Sequence, residues 1–277
     1  MAEARRAVSA TRLRVLRTER ITPHMVRIVA GGEEIASFQP NEFTDAYVKV
    51  HFRVPGVAYP EPFDLARVRE ELPREQWPRM RSYTVRAFDA NLGELVLDFV
   101  HHGDEGVAGP WAAAAKPGDE LLVSGPGGAY APGAEADWHL LAGDESALPA
   151  IAASLEAMPA GVPVHAFLLV EDAAEEQSLT TKGDARITWL YRSRGDDLAA
   201  AVRALDWREG VVQAFVHGEA GFVKELRAHL RIDRGVARES LSISGYWRLG
   251  ADDEGWRASK KDWTREVEER EAAAGLG

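Results

Sequence analysis

Arg81-Ser82-Tyr83-Thr84 opens a stretch that alternation extends as a strand to about Phe88. A strand sends successive side chains to opposite faces, so Arg81 and Tyr83 share one face and Ser82 and Thr84 the other. A guanidinium clamps phosphate, a phenol lies against a ring system and a hydroxyl meets its edge, a set that suits a flavin. Outward from this stretch the same period of two recurs. Thr11–Glu19 alternates through Leu13 and Val15, and Met25–Val29 follows the Thr22-Pro23 turn. Ala46–Phe52 sets Val48, Val50 and Phe52 against Tyr47, Lys49 and His51. Past Asn91-Leu92-Gly93, Glu94–His101 alternates Leu95, Leu97 and Phe99 with Val96, Asp98 and Val100. Glu120–Ser124 closes the series after the Pro117-Gly118-Asp119 turn. Many short strands separated by turns predict an antiparallel barrel.

Two segments interrupt the strands. Val54–Pro78 carries Pro55, Pro60, Pro62, Pro73 and Pro78 around a short charged helix near Asp64–Leu72. A connection of that length is either functional or disordered. His102-Gly103-Asp104-Glu105-Gly106-Val107-Ala108-Gly109-Pro110-Trp111 then opens a helix through Ala115, and small residues there let backbone N–H groups approach a phosphate. Gly125-Pro126-Gly127-Gly128 has the look of a dinucleotide loop, but Pro126 and Pro132 bar a helix from starting there.

Composition shifts near Pro132–Asp137, and strands then alternate with helices. Strands are expected at Trp138–Ala142, Val164–Glu171, Ile187–Tyr191, Val211–His217 and Ser240–Tyr246. Helices are expected at Ala147–Met158, Asp197–Leu205 and Glu219–Leu230. Such alternation predicts a mostly parallel, helix-covered sheet whose ligands bind beyond the carboxyl ends of the strands. The strand ends carry Gly143-Asp144-Glu145-Ser146, Glu171, Arg192 and His217-Gly218-Glu219. Trp256–Ala274 reads as a helix with Trp256, Lys260, Trp263 and Val267 on one stripe. Packing of the tryptophans onto the body is the favoured expectation. A sharper one is a lid over a nicotinamide site that brings Lys260 or Lys261 to a substrate. The domains are read as 1–132, 133–250 and a helical extension 251–277.

Composition narrows the function. At 277 residues, 45% hydrophobic and 28% charged, the chain is a soluble globular protein of two domains. The absence of cysteine excludes disulfides, thiolate zinc sites and cysteine-ligated iron–sulfur clusters. A net charge of -11 argues against a nucleic-acid partner. No apolar run approaches the roughly 20 residues of a membrane span, and Met1–Ala10 lacks the apolar core of a signal peptide. A cytoplasmic monomer without membrane partners is expected. No G-x-S-x-G, H-E-x-x-H or triad is present, and His101-His102 lacks further metal ligands.

Several of these stretches carry a resemblance. Arg81–Thr84 resembles the R-x-Y-[ST] fingerprint of ferredoxin-reductase-like flavoproteins. Leu141-Ala142-Gly143-Asp144-Glu145-Ser146-Ala147-Leu148-Pro149-Ala150-Ile151 is similar to the G-D-E-[ST]-A-L-P-A-I motif of the siderophore-interacting proteins, the flavin-dependent ferric-siderophore reductases. Gly218-Glu219 with Glu225-Leu226-Arg227 resembles their G-E…L-R segment, and Gly245-Tyr246-Trp247-Arg248-Leu249-Gly250 their G-Y-W-R-x-G close. These segments cover nearly the whole chain in the family's order.

The resemblance implies FAD in the barrel domain. Arg81, Tyr83 and Thr84 would hold pyrophosphate and flavin; Asp98, Val100 and His102 would line the cofactor; Val107, Ala108 and Gly109 would face its phosphates. Ser82, Phe99 and Trp111 fall in the same site. The phosphate segment departs from the family's G-P-A-S, with Val107 for the proline and Gly109 for the hydroxyl residue. NADH, NADPH or reduced ferredoxin would supply electrons, with Gly143, Asp144, Glu145, Ser146, Ala147, Glu171, Arg192, Gly218 and Glu219 at the nicotinamide site. Arg192 would suit a 2′-phosphate. Lys49 and Arg248 would attract an anionic ferric siderophore, with Lys260 as a further candidate. Where the family has a basic residue in G-P-R-G, this chain has Gly127. Electrons pass through flavin to iron, so no catalytic side chain and no resident metal are expected. A flavin reductase serving a protein acceptor and a non-enzymatic siderophore-binding module are the alternatives.

Overall fold

The computed structural model describes residues 10–276, so all of Met1–Ala10 except Ala10 lies outside the described residues. The chain divides into two compact units, Met1–Glu42 with Ala46–Gly128, and Phe43–Asp45 with Ala129–Gly277.

In the first unit, β1 (Thr11–Thr22), β2 (Met25–Gly31), β3 (Tyr47–Phe52), β4 (Arg79–Asp89), β5 (Glu94–Val100) and β6 (Glu120–Gly127) form a closed barrel. Its order is β1-β2-β5-β4-β3-β6 with every pairing antiparallel, so no strand edge is left unpaired. Alternation decides the core: Leu13, Ile28, Val48, Val50, Leu95, Leu97 and Phe99 are at most 1% exposed. Five polar residues of this unit, Thr22, His51, Thr84, Asp98 and Ser124, are buried as well. His51 Nε2 lies 2.8 Å from Ser124 Oγ, and Asp98 accepts two bonds from Arg27 at 2.7 and 2.8 Å. Gly125-Pro126-Gly127 belongs to β6 and not to a loop, because the strand keeps pairing with β3 as far as Tyr47↔Gly127.

The proline-rich connection is ordered. Its α1 (Leu65–Glu71) starts at Asp64, whose carboxylate caps Ala66 N and Arg67 N. Tyr59 Oη accepts from Val54 N and donates to Gln76 O, tying the two ends of the segment together. Helix α2 (Ala108–Ala114) plugs the barrel with Ala108 and Ala112 buried and Trp111 centred 5.5 and 5.6 Å from Phe52 and Phe99.

In the second unit, β7 (Trp138–Asp144), β8 (Pro163–Val170), β9 (Asp184–Tyr191), β10 (Val212–Glu219) and β11 (Leu241–Trp247) form a parallel sheet of order β11-β10-β7-β8-β9. One face carries Trp138, Leu140, Ala142, Ala214 and Val216; the other carries Leu141, Ala166, Leu168 and Phe215. Both faces are covered, so the central strands are apolar throughout. Helices α3 (Leu148–Glu156), α4 (Leu198–Arg203) and α5 (Ala220–Ala228) follow β7, β9 and β10. The expected helix to Leu230 is α-helical only to Ala228 and continues as a π-turn over His229–Asp233.

The last helix, α6 (Asp253–Ala273), is part of this unit and not a separate extension. Trp256, Trp263 and Val267 are buried in one cluster with Val223, Leu226 and Leu230. Trp263 Nε1 donates to Ala220 O, and Arg227 grips Glu271 at 2.6 and 3.0 Å. The tryptophan stripe is therefore core. No helix among the described residues is long and apolar enough to cross a membrane.

Candidate functional site

In the barrel, the register of β3 against β4 fixes the strip first read in the sequence. Val48↔Tyr83 and Val50↔Arg81 share the inward face; Tyr47↔Thr84 and Lys49↔Ser82 share the outward one. Tyr83 stacks on Phe99 at 4.0 Å between ring centres. Phe99 is fully buried, so its side chain supports Tyr83 from beneath and does not meet a ligand. Thr84 is 8% exposed, and its hydroxyl takes part in no hydrogen bond among the described residues. Arg81 donates one Nη to Met80 O. On the outward face Lys49 Nζ donates to Ser82 Oγ at 2.5 Å and lies 4.6 Å from the centre of the Tyr47 ring. Burial, with Arg69 and Lys49 adding to it, lowers the His51 pKa to about 4, so His51 is neutral at physiological pH.

Helix α2 begins without a side-chain cap at Val107, which leaves the first-turn N–H groups of Ala108 and Gly109 to another acceptor. A Cβ on Gly109 would stand 3.1 Å from Val100 O, so the close seat of α2 on β5 accounts for the glycine where a hydroxyl residue was expected. An uncapped helix start and an unspent threonine hydroxyl fit a phosphate-bearing ring cofactor. Asp98 fits it less directly, since Arg27 occupies both its carboxylate oxygens. His102 is exposed and stacks loosely on His24, 6.2 Å between centres.

In the second unit, β7 is followed by β8 and β9 on one side, while β10 and β11 lie on the other. The topological switch point therefore falls between β7 and β10, where such sheets bind ligands. Asp144 sits there, 1% exposed. Its Oδ1 accepts from Ser146 N and Oγ at 2.9 and 2.5 Å; its Oδ2 accepts from Glu219 N and Trp247 Nε1, both at 2.8 Å. One carboxylate thus ties the ends of β7, β10 and β11. Burial pushes the Asp144 carboxyl up, while the bonds from Ser146 and Trp247 hold it down. Gly143 and Gly218 are required here: a Cβ would come 2.6 Å from Ala147 Cβ in the first case and 2.6 Å from Asp144 Oδ2 in the second.

The remaining strand-end residues separate into groups. Glu145 is buried and bound through both oxygens by Arg192, so neither charge is open to a ligand without breaking the pair. Glu219 caps α5 through Gly221 N and Phe222 N and accepts from Leu249 N. Glu171 is exposed; its backbone carbonyl accepts from Ser193 N in the turn that holds Arg192, and its charge acts on the Arg192 guanidinium. Arg248 is exposed, one residue beyond the anchored Trp247. Lys260 lies on α6 against β11. Its ammonium donates to Gly245 O at 2.8 Å beside the Trp256 ring, half-buried, and burial lowers its pKa. His217 lies between the Phe215 and Tyr246 rings at 4.1 and 4.7 Å, with Nε2 near Ser242 Oγ. Burial lowers its pKa to about 3. Neither the Trp247–Asp144 bond nor the neutrality of His217 and His51 had a sequence signal, because each depends on partners far along the chain.

An antiparallel barrel followed by a parallel sheet with a polar switch point is the two-domain fold of the ferredoxin-reductase-like type. The particular family follows from comparison. Residues 14–130 match the siderophore-interacting FAD-binding domain and residues 136–250 match the siderophore-interacting protein model, and the chain belongs to that family. It is 32% identical to the ferric vibriobactin reductase ViuB of Vibrio cholerae over 88% of this chain and 92% of that one. It is likewise 32% identical to an NADPH-dependent ferric-chelate reductase of Escherichia coli, over 85% and 91%. The crystal structure of the siderophore-interacting protein SipS from Aeromonas hydrophila superposes with a TM-score of 0.80 at 32% identity, covering 93% of this chain and 99% of that one.

Proposed function

We propose that this chain is an FAD-dependent ferric-siderophore reductase that releases ferrous iron in the cytoplasm. When bound, FAD supplies two-electron acceptance from a donor and one-electron delivery to iron. Arg81 would grip the pyrophosphate, Tyr83 would back the ring system on its Phe99 support, and Thr84 would offer its hydroxyl to the ring edge. The amides of Ala108 and Gly109 would take phosphate oxygens, with Val100, His102 and Trp111 alongside. Lys49 and Arg248 would steer the ferric chelate, and the softer ferrous ion would leave its oxygen ligands.

The observation that carries the reading is the Arg81–Thr84 strip with its unspent Thr84 hydroxyl, in a chain of this family. NADPH is the donor supported by the Escherichia coli relative, and NADH and reduced ferredoxin are the other two considered. Arg192, the cation at the strand ends, is already paired with Glu145, and Glu219 adds an acidic charge there, so slow reduction by nicotinamides is the expected result. The test is the visible spectrum of the purified protein, followed by anaerobic titration with NADH and NADPH. Arg81→Ala should lower FAD affinity at least about tenfold, since a charge-assisted bond contributes about 1.5–3 kcal/mol. Full FAD occupancy in that variant at sub-micromolar protein would sink the cofactor assignment.

A further inference from the structure

Arg192 opens the turn after β9 and Glu145 follows β7, so the sheet order brings together two residues far apart in the chain, at strand ends where ligands bind. Glu145 is 5% exposed, and its two oxygens take the two Nη groups of Arg192, Oε2 at 2.6 Å. This end-on pairing leaves the guanidinium its Nε–H but no net charge to offer. Asp144 and Glu171 act on the same guanidinium, so three acidic residues bear on one cation. A helix start is the other ordinary receiver of a phosphate, and here it is poorly supplied. In α3, Ala147 N donates to Asp144 O, Pro149 has no N–H, and Ala150 N and Ile151 N both donate to Ala147 O. Ser146 gives its N–H and its hydroxyl to Asp144.

On the reductase reading above, we infer that Glu145 is the specificity-determining residue of the donor site: its carboxylate occupies Arg192 in place of a nucleotide phosphate and so sets the chain against nicotinamide donors. A carboxylate and a phosphate present the same pair of anionic oxygens to a guanidinium fork. An incoming phosphate must therefore pull Arg192 off Glu145 before it gains the two bonds that Glu145 already makes. The exchange leaves a carboxylate that is charged, buried and unpaired, which is the costly way to open such a pair. Nucleotide binding then yields little net free energy although a cation is present. Removing only the charge of Glu145 reverses the balance. Glutamine keeps a carbonyl oxygen for one Nη group and frees the guanidinium charge for a phosphate.

NADP+ and NAD+ do not reduce the oxidised, FAD-loaded full chain, so titration calorimetry with them reads binding apart from turnover. Wild type should bind both weakly. Glu145→Gln should bind at least one of them about tenfold more tightly, with a gain that fades as salt is added. A gain for NADP+ alone assigns its 2′-phosphate to Arg192, and equal gains assign the pyrophosphate; either supports the role of Glu145. Glu171→Gln removes a charge that acts on the same guanidinium without freeing an Nη group, and should change both affinities by less than about twofold. Glu145→Gln with Arg192→Gln should fall back to wild-type affinity. If Glu145→Gln does not fold, Glu145→Asp serves in its place: one methylene shorter, it cannot hold both Nη groups and should gain about threefold. Wild-type affinity in the folded Glu145 variant, or an equal gain in Glu171→Gln, would overturn the role of Glu145 and leave the reductase reading standing. That reading fails separately, if dithionite-reduced wild type passes no electrons to a ferric siderophore.

Discussion

Asp144→Asn is the perturbation that bears most directly on the second unit. All four groups around Asp144 donate hydrogen bonds, so the site needs two acceptor oxygens and has no place for a proton. Asparagine keeps one oxygen and turns an NH2 toward two donors, either Ser146 N and Oγ or Glu219 N and Trp247 Nε1. Two bonds to a charged acceptor are lost, roughly 3–6 kcal/mol at about 1.5–3 kcal/mol each. Relief from burying the charge returns part of this, leaving a net loss of about 2–4 kcal/mol. For a domain of this size each kcal/mol moves Tm by about 2–4 °C, so calorimetry should show the second unit melting about 4–16 °C lower. Ser146→Ala removes a single hydroxyl donor and should cost about 1 kcal/mol. The order of the two variants is the sensitive part. A shift under about 2 °C for Asp144→Asn, or one no larger than that of Ser146→Ala, would refute the carboxylate as the tie between three strand ends.

Removing α6 by truncation after Gly250 should unfold the second unit, because Trp256, Trp263 and Val267 are buried in its core; retention of a cooperative melting transition would refute that. With α6 retained, Lys261→Ala, on an exposed position, should leave flavin reduction rates unchanged, and a changed rate would favour the lid over the nicotinamide site. His51 and His217 have pKa values of about 4 and about 3, below the ordinary 6.5, so between those limits the unfolded chain binds more protons. Their contribution is complete above pH about 6.5 and is lost as pH falls through that window, so Tm should drop between pH 6.5 and 4, and His51→Gln should flatten part of the drop. Lys49→Ala and Arg248→Ala should raise KM for an anionic ferric siderophore and reduce the salt sensitivity of kcat/KM, while FAD reduction by dithionite stays normal. Wild-type kinetics across salt in both variants would remove them from the substrate site.

Period-two alternation through Leu95, Leu97 and Phe99 and through Val48 and Val50 was enough to predict a barrel, since a strand with one apolar face has one way to bury it. Strand and helix alternation after Pro132 likewise predicted the parallel sheet, and the G-D-E-S-A-L-P-A-I and G-Y-W-R-L-G segments pointed to the family. The stripe on α6 was legible, and so was its more ordinary reading as core. What the sequence could not supply was partnership. Asp144 and Glu145 look alike as adjacent acids, yet one is held by backbone and indole N–H groups and the other by Arg192, 47 residues away. Lys260 reads as a substrate lysine, and the fold gives one of its three N–H donors to Gly245 O, a contact no local pattern announces. Gly127 reads as a missing cation until the β3–β6 register lays the Tyr47 ring across it. Burial pattern is a property of each short segment and survives in one dimension, whereas charge pairing and the seating of a ring depend on register and crossover, which only the folded chain decides.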